Sequence, residues 1–294
     1  VSDMQKTKYP IGRMFALGSS SEGNAFYLEL NRKDFPTPFR LLIECGFSYG
    51  EISKRLLDKG VSVGDLDAVL VTHEHLDHAK AVKDLAKRGV TIYAPESVYK
   101  RFDMMHDNDI THLAKERQAF AIGAGIKVYG FPLDHEDDDG ENVYALGYII
   151  TVDNRFNILF VTDTKHIRWD LSKMKFNVIF IEANYQRNTM YFALKDAIKN
   201  NNRFLEKHYN RVIKSHFCVD NTAKTLAEFD LSRTDSIYLI HLSANTIINP
   251  YDFKRVVMDK IKHKQRTSNV IIGGKIAQIR KPKIYVIKKN GEIV

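Results

Sequence analysis

The chain has 294 residues, 44% of them hydrophobic, with ordinary glycine and proline usage; it is long enough to bury a full core and reads as one domain over 1–294. No apolar run approaches the roughly 20 residues that span a bilayer, and the first ten residues are polar and lack a signal-peptide core, so the expectation is a cytoplasmic protein with no membrane partner. The net charge of +8 belongs to the segment 251–294, which carries 12 Lys/Arg against 3 Asp/Glu and reads either as a phosphate-binding surface or as a solvated helix face followed by a lysine-rich hairpin.

In chain order, strands are expected at 13–17, 25–30 and 39–43, with Gly18-Ser19-Ser20-Ser21-Glu22-Gly23-Asn24 as the first turn. A helix over 49–59 leads to a buried strand at 66–71, followed by a helix at 79–88, a strand at 91–94 and a helix at 95–104. Further strands fall at 126–133, 144–152, 156–161, 178–181 and 236–240, and helical spacing of apolar residues marks 194–208 and 222–229. After Pro250 a basic helix runs to about 264, ahead of β-type runs at 269–272 and 283–287. Strands alternating with helices, without linker or repeat, define an α/β layered domain.

Cys45 and Cys218 are far apart and lack a CxxC partner, so neither a disulfide framework nor a thiolate zinc site is supported. A metal must then be held by His and Asp. Directly behind the apolar run 66–71 stands His73-Glu74-His75-Leu76-Asp77-His78. His73 and His75, two residues apart in extended backbone, can grip one ion. Asp77 and His78, turned away as the chain curls into a helix, can serve a second, in the two-metal arrangement that phosphodiester hydrolysis uses. His135, Asp163 and His241 each follow an expected strand; His135 completes the first ion's set, His241 the second's, and Asp163 bridges them. Ser215-His216-Phe217 offers an imidazole for the substrate phosphate or leaving oxygen, and reads equally as a structural histidine. Glu182 and Asn184 read either as partners of the metal-binding histidines or nucleotide, or as loop caps. Trp169, Tyr185, Tyr191 and Phe192 are candidates to stack on a base, and His106, His112, His166, His208 and His263 have no partner at ligand spacing.

The ordered set Gly18 to Asn24, Leu42-Ile43-Glu44-Cys45-Gly46, the His73 to His78 run, His135, Thr162-Asp163-Thr164 and His241-Leu242-Ser243 resembles the metallo-β-lactamase superfamily over nearly 13–243. Ser20-Ser21-Glu22-Gly23-Asn24, Glu182-Ala183-Asn184, Ser215-His216 and Leu242-Ser243 make it similar to the YycJ-like branch, which includes cellular 5′ DNA exonucleases and the phage anti-Pycsar cyclic-nucleotide phosphodiesterases. The resemblance implies an αββα sandwich of two mixed sheets flanked by helices, two Zn2+ ions with Mn2+ as a possible replacement, and a homodimer. Glu44 departs from the family's usual Asp, so a longer carboxylate must reach the same place. The acidic stretch Glu136-Asp137-Asp138-Asp139-Gly140 beside His135 opposes a polyanionic duplex and favours a small substrate.

The expected reaction is attack of a metal-activated hydroxide on phosphorus, with Asp77 or Asp163 accepting a proton. The leading expectation is a phosphodiesterase acting on 3′,5′-cyclic nucleotides, with removal of a nucleotide immune signal as its role; the alternative is a 5′ DNA exonuclease, a nucleic-acid partner for which the basic tail supplies backbone contacts. A catalytically silent module that keeps the fold to sequester a nucleotide or to dimerise, and a thioester or lactam hydrolase, also share this scaffold.

Overall fold

The alternation of buried positions along the strands sorts the chain into four layers. The computed structural model describes residues 10–136, 140–243, 249–267, 271–272, 275–276 and 282–294. The first half comprises β1 (Ile11–Ser20), β2 (Gly23–Leu30), β3 (Phe39–Ile43), α1 (Tyr49–Leu57), β4 (Ala68–Leu70), α2 (Leu76–Ala79), α3 (Val82–Ala86), β5 (Thr91–Ala94), α4 (Glu96–Arg101) and β6 (Thr111–Leu113). The second comprises β7 (Ala119–Gly123), β8 (Ile126–Glu136), β9 (Asn142–Val152), β10 (Phe156–Val161), β11 (Val178–Glu182), α5 (Arg187–Lys199), α6 (Arg203–Ser215), α7 (Val219–Glu228), β12 (Ser236–Ile240), α8 (Pro250–Thr267), β13 (Ile271–Ile272), β14 (Lys275–Ile276) and β15 (Lys283–Val286).

One sheet runs β1-β2-β3-β4-β5-β6 and the other β15-β12-β11-β10-β9-β8-β7. Side chains with period two face alternate layers. Leu41, Ile43 and Leu70 from the first sheet meet Ile158, Phe160, Val178 and Phe180 from the second in a shared inner core. Their neighbours Leu42 and Val69 face outward to Ile52 and Leu56 of α1 and Leu85 of α3. On the other side Leu159, Ile179 and Leu239 pack on Ala223 and Leu226 of α7 and Phe253 and Val257 of α8. The result is the expected αββα sandwich.

Four local expectations are corrected. The first turn is only Ser21-Glu22, because Ser19, Ser20, Gly23 and Asn24 pair in β1 and β2. The helix expected over 79–88 breaks into α2 and α3 where the Ala81 amide donates to the Cys45 carbonyl at 3.0 Å instead of continuing one ladder. The 194–208 run is two helices, divided where Asn201 takes φ +51° and the Asn202 side chain caps α6. The short strands β6 and β7 have no strong alternation of their own and were not expected. Of the run 269–272, residues 269–270 lie outside the described residues, as do 137–139 of the acidic stretch.

Candidate metal centre

His135, Asp163 and His241 sit at or just past the carboxyl ends of strands, and the His73 to His78 run leads from β4 into α2. β10, β11 and β12 are parallel, and β8 runs with them because both it and β10 are antiparallel to β9. His135, Asp163, Glu182 and His241 therefore emerge at one edge of the second sheet, facing the chain that leaves β4 in the first. Open α/β sheets build sites at such edges. Three of these turns are sharp: Glu44, Asp163 and His241 have φ of +65°, +44° and +54°. The left-handed region costs an L-residue roughly 1–2 kcal/mol, and here it swings each side chain inward.

Between β4 and α2 the backbone is extended at His75, φ −62° and ψ 145°, and turns helical from Leu76. This splits the motif. His73 and His75 gather with His135 and Asp163, while Asp77 and His78 gather with Asp163 and His241; within each group one donor atom per residue lies within 4.8 Å of the others. Asp163 belongs to both. Its Oδ2 is 3.6 Å from Nε2 of His73, 3.1 Å from Nε2 of His78 and 3.8 Å from Nε2 of His135, and its Oδ1 is 2.7 Å from Nδ1 of His241. Nδ1 of His75 and Nε2 of His135 face each other at 3.1 Å. Asp77 Oδ2 is 3.3 Å from Nε2 of His78 and 3.7 Å from Nε2 of His241.

A further ring of groups holds these side chains in place. Glu44 does reach the site: Oε1 lies 3.5 Å from Nδ1 of His78, and Oε2 accepts the Thr72 amide at 3.3 Å. Glu182 Oε1 is 2.7 Å from Nδ1 of His216 and 2.9 Å from Nδ1 of His241, while Oε2 accepts the amides of Thr164 at 2.9 Å and Phe217 at 3.2 Å. Asn184 Nδ2 donates to the His241 carbonyl at 2.8 Å. Thr72 Oγ1 is 2.9 Å from Nδ1 of His73, and Ser19 Oγ accepts the His241 amide at 2.7 Å. Thr72 and Ser19 were not singled out in the sequence; a hydroxyl beside a histidine or in a serine-rich turn carries no distinguishing spacing. Gly46 lies so close to the motif that a Cβ there would meet the Asp77 carbonyl oxygen at 1.7 Å.

The electrostatics divide the imidazoles into two kinds. Burial, with His78 and His135 nearby, pushes His73 well below its ordinary value, and burial pushes His135 down to about 4 against the opposing pull of Asp163. For His78, burial is outweighed by the carboxylates of Asp163, Asp77 and Glu44; for His241 it is outweighed by Asp163, Asp77 and Glu182, and both rise well above the usual histidine range. Asp163 is held well below the carboxylate range because His241 and His78 overcome its burial.

The residues fit a pair of divalent ions. Nε2 of His73 and Nε2 of His241 are buried and make no hydrogen bond, although each faces carboxylate oxygen. Two ligands on arms of 2.0–2.1 Å in tetrahedral geometry stand about 3.3 Å apart, within the 3.1–3.8 Å that separates Asp163 Oδ2 from Nε2 of His73, His78 and His135. Several buried acidic groups gathered in one place likewise call for cations. With no thiolate in either group, imidazole and carboxylate suit zinc and admit manganese.

His216, at the carboxyl end of α6, joins a third group with Asp163, Glu182 and His241. Its ring lies 5.8 Å from that of His135. Among the described residues, His106, His112, His166 and His208 join none of the groups; His263's side chain is outside them. Of the aromatic candidates, Tyr185 is buried in a small core with Met190 and Tyr209, Trp169 packs beside Tyr129, and Tyr191 and Phe192 are exposed on α5.

Residues 39–242 match the family described as beta-lactamase superfamily domain. The chain belongs to that superfamily, and its sandwich and His/Asp cluster are those of a metal-dependent hydrolase within it. Exodeoxyribonuclease WalJ of Streptococcus pneumoniae is 28% identical over 240 residues, covering 77% of this chain and 80% of that protein. Exodeoxyribonuclease YycJ of Bacillus anthracis is 26% identical over 241 residues, covering 77% and 81%. The metallo-beta-lactamase fold protein YhfI from Bacillus subtilis superposes with a TM-score of 0.59 at 13% identity, over 96% of this chain and 97% of that one, a likeness of fold alone. No helix among the described residues is long and apolar enough to cross a membrane.

Proposed function

We propose that this chain is a two-zinc phosphodiesterase that shortens DNA from an end, with His73, His75 and His135 holding one ion, Asp77, His78 and His241 the other, and Asp163 between them. The observation that carries the reading is the Asp163 carboxylate, shared by both ligand groups. The exodeoxyribonuclease relatives, which match 77% of the chain, support DNA as the substrate. When bound, the ion pair supplies Lewis acidity and lowers the pKa of water at the site. Asp77, whose side chain is 22% exposed while Asp163 is buried, accepts the attacking water's proton. Glu182 fixes Nδ1 of His216, leaving Nε2 to bind the phosphate or give a proton to the leaving oxygen.

A second reading is hydrolysis of 3′,5′-cyclic nucleotides, of the anti-Pycsar type, by a homodimer. Glu136, at the end of β8 beside His135, favours it by setting negative charge where a polyanion would pass. Zinc-loaded protein is to be incubated with end-labelled linear DNA and, separately, a panel of cyclic nucleotides, with products resolved by chromatography. Shortened DNA with cyclic nucleotides intact is expected; conversion of cyclic nucleotides to monophosphates with DNA intact transfers the chain to the second reading.

A further inference from the structure

The chemistry above uses only the end of the α5–α6 hairpin. Over 187–215 this hairpin carries seven Lys/Arg against Asp196 and Glu206. One side is packed, with Met190 and Ala197 of α5 closing on Tyr209 and Val212 of α6. The other side leaves Phe192 69% and Phe204 80% exposed. Phe204 shares a cavity lining with Lys207 and Arg211, so this bare ring stands beside cations.

Along α6, Arg203, Lys207, Arg211 and Lys214 recur at helical spacing and share one face. At 1.5 Å per residue the stripe is about 16 Å long, enough for two or three phosphates of an extended strand. A cavity of about 300 Å³ lined by Phe204, Lys207, His208 and Arg211 opens on it. The helix then ends at His216, whose ring adjoins His135. The carboxyl end of the stripe, Lys214, thus stands two residues before the imidazole that adjoins the metal centre.

We propose that the outer face of the α5–α6 hairpin grips single-stranded DNA: the basic stripe follows the phosphates, Phe204 stacks on a base, and the strand end passes His216 into the site. Alternating cations and an exposed ring suit a polyanion with bases free to stack. Charge decides against a second copy of the same face, which would oppose net positive to net positive. The proposal rests on the DNA reading above and deepens it by naming where the substrate is held.

The test measures fluorescence anisotropy of a labelled phosphorothioate dT20, which resists cleavage, with the zinc-loaded protein across a KCl series. Three exposed cations are replaced together, Arg203→Gln, Lys207→Gln and Lys214→Gln, and Phe204→Ala is made separately. The triple variant is expected to lower the slope of log affinity against log salt by about 2, since each lost phosphate contact on a single strand removes about 0.7. Phe204→Ala is expected to weaken binding about fivefold or more. Hydrolysis of bis(p-nitrophenyl) phosphate, too small to reach the hairpin, should be unchanged in both. Unchanged slope and affinity in the variants overturn the proposal, as does a dimer made monomeric by Phe204→Ala with DNA binding intact. If the parent protein cleaves unmodified DNA while the variants bind dT20 as it does, the grip alone fails. If it cleaves no DNA yet the slope falls in the triple variant, the grip stands and the exonuclease reading fails.

Discussion

Oε1 of Glu182 lies 2.7 Å from Nδ1 of His216, and the same oxygen lies 2.9 Å from Nδ1 of His241. One buried carboxylate thus orients both the candidate metal ligand and the candidate substrate-facing imidazole. In Glu182→Gln the amide replaces one acceptor oxygen with a donor, so the four contacts cannot all survive. Zinc affinity, read by competition with a chelator, and turnover should each fall by about 10–100-fold. His216→Ala should instead lower turnover by about 100-fold or more while leaving zinc affinity near that of the parent.

Gly46 and Gly50 provide a contrast in close approach. A Cβ on Gly46 would collide with the Asp77 carbonyl, whereas one on Gly50, within α1, meets nothing within 4 Å. Gly46→Ala is expected to cost about 1–3 kcal/mol in thermal or urea melts and to impair zinc loading by moving the Asp77-His78 turn. Gly50→Ala should be neutral or stabilising by up to about 1 kcal/mol, because alanine loses less backbone entropy in a helix.

Metal-free protein should show a stability maximum near pH 6.5. His78 and His241, raised above their ordinary 6.5, keep protons that the unfolded chain has lost; their contribution is whole below 6.5 and disappears as pH rises through the raised values. His73 and His135, depressed, resist protons that the unfolded chain takes up, so stability also falls as pH drops below 6.5. Asp163, held below its ordinary 3.8, adds a further loss at lower pH. Melting temperatures of chelator-treated protein against pH check this. Zinc competes with the protons on His78 and His241, so loading at pH 7 should release protons and flatten the alkaline decline.

Much of the fold was legible because short apolar runs carried it. The expected strands at 91–94, 156–161 and 236–240 have the same bounds in the structure, for each is an apolar run ended by a polar ligand or turn. Where long-range hydrogen bonds decided, the pattern misled: Ala81 bonds Cys45 across the fold, and no helical periodicity reports that. Asn200-Asn201-Asn202 is turn chemistry that the reading of 194–208 by apolar spacing alone did not take up. In the site, the His73 to His78 spacing spoke for itself. The meeting of His135, Asp163 and His241 is tertiary, made by parallel strand ends; the sequence offered each as a polar residue after an expected strand, a weak signal singly that the set and the family resemblance strengthened. Glu182 read either as a partner of the metal-binding histidines or nucleotide or as a loop cap; which imidazoles it meets depends on the register of β11 beside β12.

The most direct measurement is metal content per chain, by elemental analysis after gel filtration, paired with phosphodiester hydrolysis for the parent, Asp163→Asn and His78→Ala. Two ions per chain in the parent are predicted, with one or fewer and at least a hundredfold slower hydrolysis in both variants, as expected when a group that positions charge at the reacting centre is lost. Two ions and intact hydrolysis in both variants would contradict the two-metal centre.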